Sequence, residues 1–219
     1  MGPILSFETV GLRHGTGSEL LANLDLSLDR GEIACVRGET GAGKTALLEM
    51  AGLVRRPSRG RIQLLGADCT AIDRDRRAKL RRRIGMVSDA IPMLPRTSLA
   101  DNVALPLAIA GIDAGEGRER VAELLGWLRL GAKAGEVPMN LSRGERERGA
   151  IARALVGRPD LILLDEVTID EPAVRPLLER MLDLGAAVLI ASRGPIDWPG
   201  ARHFRLAQGR LVESLREPA

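Results

Sequence analysis

The sequence predicts an α/β fold: a mostly parallel sheet core covered on both faces, with an antiparallel β subdomain at the start and a helical subdomain in mid-chain. Three observations predict it. Short apolar runs alternate with stretches of helical periodicity, as a parallel sheet with crossover helices requires. A glycine-rich turn, Gly38-Glu39-Thr40-Gly41-Ala42-Gly43-Lys44-Thr45, sits where one apolar run passes into a helix. Four consecutive apolar residues, Leu161 to Leu164, end in the acidic pair Asp165-Glu166.

Taken in order, residues Ile4–Val10, Leu20–Leu28 and Glu32–Val36 read as strands, separated by turns at Gly15-Thr16-Gly17 and Asp29-Arg30-Gly31. Arg61–Leu65 is a further short strand before a Gly66 turn. Asp73–Arg83 is an arginine-rich helix with the composition of a solvated face. Ile84–Val87 returns as a strand. From Ser98 to Leu130 the pattern is helical, with Thr97 or Ser98 as N-cap and Gly111 closing the first piece; the second piece covers Glu116–Leu130. A third helix starts at Ser142 and runs to about Val156. Ala187–Ala191 is a buried strand, and Arg202–Leu206 with Arg210–Leu215 form a closing hairpin around Gln208-Gly209. The chain reads as one domain over 1–219, with 1–97 and 158–219 as core and 98–157 as the helical part.

The turn at 38–45 fits the phosphate-loop pattern G-x-x-x-x-G-K-[ST] at every fixed position. Its glycines let successive amides curl around a polyphosphate, its lysine reaches the outer phosphates, and its threonine hydroxyl takes a place on Mg²⁺. The chain has only three lysines among 32 basic side chains, yet a lysine stands where a compact point charge is needed. The chain therefore binds a nucleoside triphosphate. The strand ending in Asp165 delivers a carboxylate to the metal. Glu166 beside it is placed to polarise an attacking water as general base.

Composition narrows the partners. A net charge of +3 arises from interspersed arginine, aspartate and glutamate rather than a basic tail, and only 2% of residues are aromatic. Nucleic acid is therefore an unlikely partner, since both a basic patch and stacking platforms are scarce. Cys35 and Cys69 follow no metal-ligand spacing and read as free thiols. No apolar run approaches the roughly 20 residues of a membrane span.

Immediately before the acidic strand lies Leu141-Ser142-Arg143-Gly144-Glu145-Arg146, followed by Ala152-Arg153-Ala154. This resembles the signature motif of ABC ATPases, and the order of phosphate loop, helical segment, signature and acidic strand resembles that family over essentially the whole chain. Within it, Arg96-Thr97, Asp101-Asn102-Val103-Ala104, Pro106-Leu107 and Ile109-Ala110-Gly111 are similar to the FtsE group and its LolD and MacB relatives. The resemblance implies a P-loop NTPase of ABC type that binds ATP and Mg²⁺ through Gly38, Glu39, Thr40, Gly41, Ala42, Gly43, Lys44 and Thr45. It also implies a dimer, homo- or heteromeric, in which Ser142, Arg143, Gly144 and Glu145 face the nucleotide of a second subunit. It further implies a cytoplasmic location at the inner face of the membrane. The implied partner is an integral membrane protein, either FtsX-like or a transporter permease, docking near 98–130.

Four places in the catalytic shell depart from the family pattern, and a fifth lies where adenine would stack. Ser88-Asp89 stands for an aromatic–Gln pair, Ser192-Arg193 for Thr-His, and Arg143 for the first signature glycine. Val167-Thr168-Ile169-Asp170 replaces a longer segment after the catalytic glutamate, and His14 takes the place of the aromatic that stacks on adenine. Asp89 brings charge where a glutamine would donate, and Arg193 can only donate where a histidine can accept. Thr45, Asp165 and Asp89 form the expected metal shell, and Glu166, Arg193 and Asp89 the expected catalytic group. The opposite charges gained at Asp89 and Arg193 predict an ion pair between them, and hydrolysis is expected to be slow.

Overall fold

The computed structural model describes residues 2–13, 17 and 19–214. The elements in chain order are β1 (Leu5–Arg13), β2 (Glu19–Leu28), β3 (Ile33–Arg37), α1 (Lys44–Ala51), β4 (Arg59–Leu64) and β5 (Ala67–Asp68). Then follow α2 (Arg74–Arg81), β6 (Ile84–Val87), α3 (Leu99–Ala110), α4 (Ala114–Trp127), α5 (Arg143–Leu155) and β7 (Leu161–Asp165). The last are α6 (Arg175–Asp183), β8 (Ala187–Ser192), β9 (Arg202–Ala207) and β10 (Arg210–Ser214).

Two sheets result. One is antiparallel, in the order β2-β1-β4-β5; the other has six strands in the order β10-β9-β3-β8-β7-β6. All pairings of the second are parallel except β9 with β10. That hairpin turns at Gln208 and Gly209 with φ of 50° and 73°, the left-handed pair a two-residue connection between twisted strands needs.

The parallel strands are apolar throughout because both faces are covered. In β3, Ala34 and Val36 enter a core shared with α1 and the antiparallel sheet, while Ile33 and Cys35 enter a second core with the helices α3 to α6. In β7, Leu161 and Leu163 take the first side and Ile162 and Leu164 the second. Burial pushes the Cys35 thiol up to about 12.

The helices of the mid-chain segment start on side-chain caps. Ser98 caps α3, Asp113 caps α4, and Ser142 with Glu145 forms a reciprocal capping box at α5. The expected break at Gly111 stands, with Gly111 at φ 76° closing α3. α2 buries no residue, as a solvated face should. Two elements differ from the sequence expectation. β5 is a two-residue pairing too short to show alternation. α6 lies in a stretch the sequence reading leaves unassigned, and it packs Leu177, Leu178 and Met181 inward. Leu215 and the turn residues Gly15 and Thr16 lie outside the described residues.

Candidate functional site

The phosphate loop links β3 to α1, and packing fixes its shape. A Cβ on Gly38 would lie 2.6 Å from the Leu206 carbonyl oxygen of β9, so only glycine lets the chain pass there. Gly41 and Gly43 have φ of 82° and 101°, and a Cβ on Gly43 would meet Leu21 Cδ2 at 2.7 Å. Gly43 is the N-cap of α1, so the loop turns directly into the positive end of a helix. Glu39, Thr40 and Gly41 are exposed at the crest, and Ala42 donates to the Glu39 carbonyl at 3.1 Å.

Lys44 is 6% exposed and points into the loop. Its ammonium donates to the carbonyls of Gly38 at 2.6 Å and Glu39 at 3.1 Å, and lies 3.2 Å from Glu166 Oε1. Thr45 Oγ1 donates to Asp165 Oδ2 at 2.8 Å. Ser88 Oγ approaches the same oxygen at 3.5 Å. Asp165 Oδ1 is buried with no hydrogen-bond partner. Burial, reinforced by the charges of Glu166 and Asp89, raises the Asp165 pKa against the Thr45 hydrogen bond. An orphaned carboxylate oxygen beside a threonine hydroxyl is a hard oxygen set that fits Mg²⁺. Such an ion takes one or two protein carboxylates and completes its shell with phosphate and water.

Glu166 occupies left-handed backbone at φ 52°, with its N–H on the Ala191 carbonyl at 2.9 Å. Strained non-glycine backbone of this kind gathers at functional positions. Burial alone would raise the Glu166 pKa, but hydrogen bonds from Lys44 and Arg193 outweigh it and hold the carboxyl below the usual range. The Arg193 amide and its Nε each lie 3.3 Å from Glu166 Oε2.

The expected Asp89–Arg193 pair does not form, and strand register is the reason. Val87 lies beside Leu164, which places Ser88 against Asp165 and carries Asp89 past the strand end. Asp165 lies beside Ala191, which brings Arg193 to Glu166. Asp89 is exposed, and among the described residues its side chain makes no hydrogen bond or ion pair. Its position beside the metal shell is taken by Ser88, which the sequence reading did not select. Strand pairing was the signal that could have found it.

Ser142, Arg143, Gly144 and Glu145 open α5. Glu145 accepts from the Ser142 amide at 2.7 Å, and Ser142 Oγ accepts from the Glu145 amide at 3.2 Å. Among the described residues of one chain, none of the four hydrogen-bonds to the phosphate loop. α5 is tied to the segment after β7 through Arg148 and Glu171 at 3.0 Å. Buried Arg153 fastens it to the segment after β6 by donating to the carbonyls of Pro92, at 2.9 Å, and Ile91. Asp170 pairs with Arg175 at 3.7 Å. His14 lies outside the described residues. A cleft of about 870 Å³ is lined by residues 38–42 of the loop together with Arg37, Arg193, Ile196, His203 and Arg205, with neither Lys44 nor Asp165 in its wall.

A family model described as ABC transporter matches residues 21–169. The chain is 41% identical over 235 residues to the methionine import ATP-binding protein MetN 1 of Rhodococcus jostii (strain RHA1), covering 98% of this chain and 69% of that protein. It is 39% identical over 183 residues to the lipoprotein-releasing system ATP-binding protein LolD 1 of Rhodospirillum rubrum, covering 80% of this chain and 81% of that one. Among solved structures, the dimeric ATP-binding cassette MJ0796 in a post-hydrolysis state with ADP and Pi superposes with a TM-score of 0.87. It is 27% identical, and the match covers 98% of this chain and 100% of that chain.

Proposed function

The chain belongs to the ABC transporter family, and on that premise we propose that it is an ATP-binding subunit that binds MgATP, dimerises on it and drives or gates an integral membrane partner. The observation that carries this reading is the loop itself. Lys44 is buried and turned inward, Thr45 is bonded to Asp165, and Asp165 keeps one buried oxygen without a partner. In this reading ATP places its outer phosphates on Lys44 and the amides opening α1, with Mg²⁺ between Thr45, Asp165 and the phosphates. Glu166 then orients the attacking water, and Ser142 and Gly144 of a second subunit close over the nucleotide. The four departures in the catalytic shell favour slow turnover, and a scaffold that closes without hydrolysing is the limiting case.

Among the described residues no helix is long and apolar enough to cross a membrane, so attachment at the inner face would come through a partner. We place the subunit in the FtsE, LolD and MacB group. The LolD relative, covered to 81% of its length, supports envelope work of the lipoprotein-releasing kind. An FtsE-like role in cell division with an FtsX-like partner rests on the segment 96–111 alone. Sedimentation of the Glu166→Gln variant tests the core of the proposal. A dimer with MgATP but not MgADP is expected, and a strict monomer at high concentration refutes it. Co-purification with a four-span membrane protein bearing a large extracytoplasmic loop would select the FtsX-like partner over a transporter permease.

A further inference from the structure

The even spread of charge expected from the composition breaks down at α2. Residues 74–83 carry seven basic side chains against one acid, Asp75, while the whole chain nets only +3. Placement keeps them in solvent. α2 joins β5, last in the order of one sheet, to β6, last in the order of the other, so it lies at the outer edge of both. It buries no residue, and only Arg77 and Leu80 are half-buried and mark its inner side. Where arginines gather before and within β4, acids neutralise them: Arg55 pairs with Glu49, Arg59 with Glu19 and Arg61 with Asp68. On α2 and the two residues after it, only Arg83 is paired, with Asp160 at 2.6 Å. Arg74, Arg76, Lys79, Arg81 and Arg82 are exposed and, among the described residues, make no ion pair or side-chain hydrogen bond. Arg77 Nε is buried without a partner. Helical spacing sets Arg74, Arg77 and Arg81 along one side, with Arg82 beside them as the C-cap in helical backbone. Like charges three and four residues apart weaken a helix, and nothing within the chain offsets them here.

We infer that α2 is a docking face for an anionic lipid bilayer, with its arginines bonded to headgroup phosphates. The inference goes beyond the function proposed above and rests on it only for bringing the chain to a membrane. Charge complementarity names the occupant. A guanidinium fork meets phosphate oxygens in pairs, and six of the seven cations are arginines. A cluster of four to eight basic residues on a surface helix is enough to hold anionic headgroups. A protein partner would be gripped by a large apolar anchor, and none of the exposed large apolar side chains lies on α2. For the same reason the helix rests among headgroups and does not insert into the acyl layer. Nucleic acid fits less well: α2 is about 12 Å long and carries no aromatic ring on which a base could stack.

Co-sedimentation of the full chain with vesicles tests this, using phosphatidylcholine alone and phosphatidylcholine mixed with phosphatidylglycerol. Wild type should bind the mixed vesicles only, and high salt should release it. The triple variant Arg74→Gln/Arg81→Gln/Arg82→Gln should bind them on the order of a hundredfold more weakly, about fivefold for each charge. Arg118→Gln/Arg129→Gln/Arg158→Gln removes the same charge from exposed positions elsewhere and should bind within about threefold of wild type. Circular dichroism melting checks that both variants fold. Hydrogen exchange on wild type needs no variant: mixed vesicles should slow the amides of residues 74–83 more than those of α4. Equal losses in the two triple variants, or no protection of α2, overturn the inference. So does α2-dependent binding of polyglutamate or duplex DNA without binding of the mixed vesicles, which would assign the face to an acidic protein segment or to nucleic acid. The MgATP-dependent dimer of Glu166→Gln reports separately on the function proposed above. A chain that forms that dimer and ignores the vesicles keeps its function and loses the lipid contact; a chain that binds vesicles through α2 and never dimerises does the reverse.

Discussion

The phosphate loop and the rim made by the ends of β6 and β8 border the same carboxylates, yet opposite means hold them. In the loop, main chain and packing decide. Gly38 is pressed against the Leu206 carbonyl, Gly43 is wound to φ 101° against Leu21, and Lys44 is tied to two carbonyls. On the rim, side chains at the surface decide: Arg193 reaches Glu166 from solvent, and among the described residues Asp89 makes no hydrogen bond or ion pair. Geometry set by backbone tolerates few residues. Geometry set by exposed side chains can be rewritten one substitution at a time. Asp89 and Arg193 accordingly stand on the rim, while the loop fits the phosphate-loop pattern at every fixed position.

Gly43→Ala should break this contrast most severely. It forces an alanine into left-handed backbone and into Leu21, so a stability loss of about 1–3 kcal/mol is expected in urea unfolding, together with loss of nucleotide binding. Lys44→Ala should leave the fold in place and weaken ATP binding by about tenfold to a hundredfold, about 1.5–3 kcal/mol, read by calorimetry. Equal affinity in wild type and variant would refute the role given to Lys44. Arg153→Met removes the buried donor that anchors the segment behind the rim. Two carbonyls then lose their partner, and a loss of about 1–2 kcal/mol in urea unfolding is expected. Asp89→Asn should have the smallest effect, within about 0.5 kcal/mol in stability, since the side chain is exposed and unbonded. If the variant nonetheless raises the Mg²⁺ concentration needed for ATP binding, Asp89 reaches the metal shell after all, and the rim is more tightly built than its exposure indicates.

The same contrast governs what could be read from the sequence. Lys44, Thr45, the strand ending at Asp165-Glu166 and the Ser142 cap are legible because each is a local pattern with a local cause: a turn, an apolar run, a cap. The partner of Arg193 is not local. It follows from the register of β8 on β7, and charge arithmetic pointed instead to Asp89, which lies beyond the end of β6. Ser88 was passed over for the same reason. α6 escaped because residues 171–176 carry Pro172 and Pro176 and mark its start with no side-chain cap, although Leu177, Leu178 and Met181 follow helical spacing. The two cores were foreshadowed by the continuous apolar strands, but which helix covers which face was not.

The strand order carries a consequence for the birth of the protein. β3, which leads into the phosphate loop, pairs on one side with β8 and on the other with β9, both formed from residues after 186. As the chain leaves the ribosome, the nucleotide-binding loop emerges early, yet its supporting strand has no neighbour until nearly all the rest has been synthesised. Arg202, which bonds to the Ser27 carbonyl at 2.7 Å and to Glu32 at 3.1 Å, closes the same long circuit. Contacts of such sequence separation are slow to form and leave apolar strands exposed meanwhile. A nascent chain stalled before β8 should therefore bind no nucleotide and should engage chaperones, and competence should arrive abruptly once β9 is released.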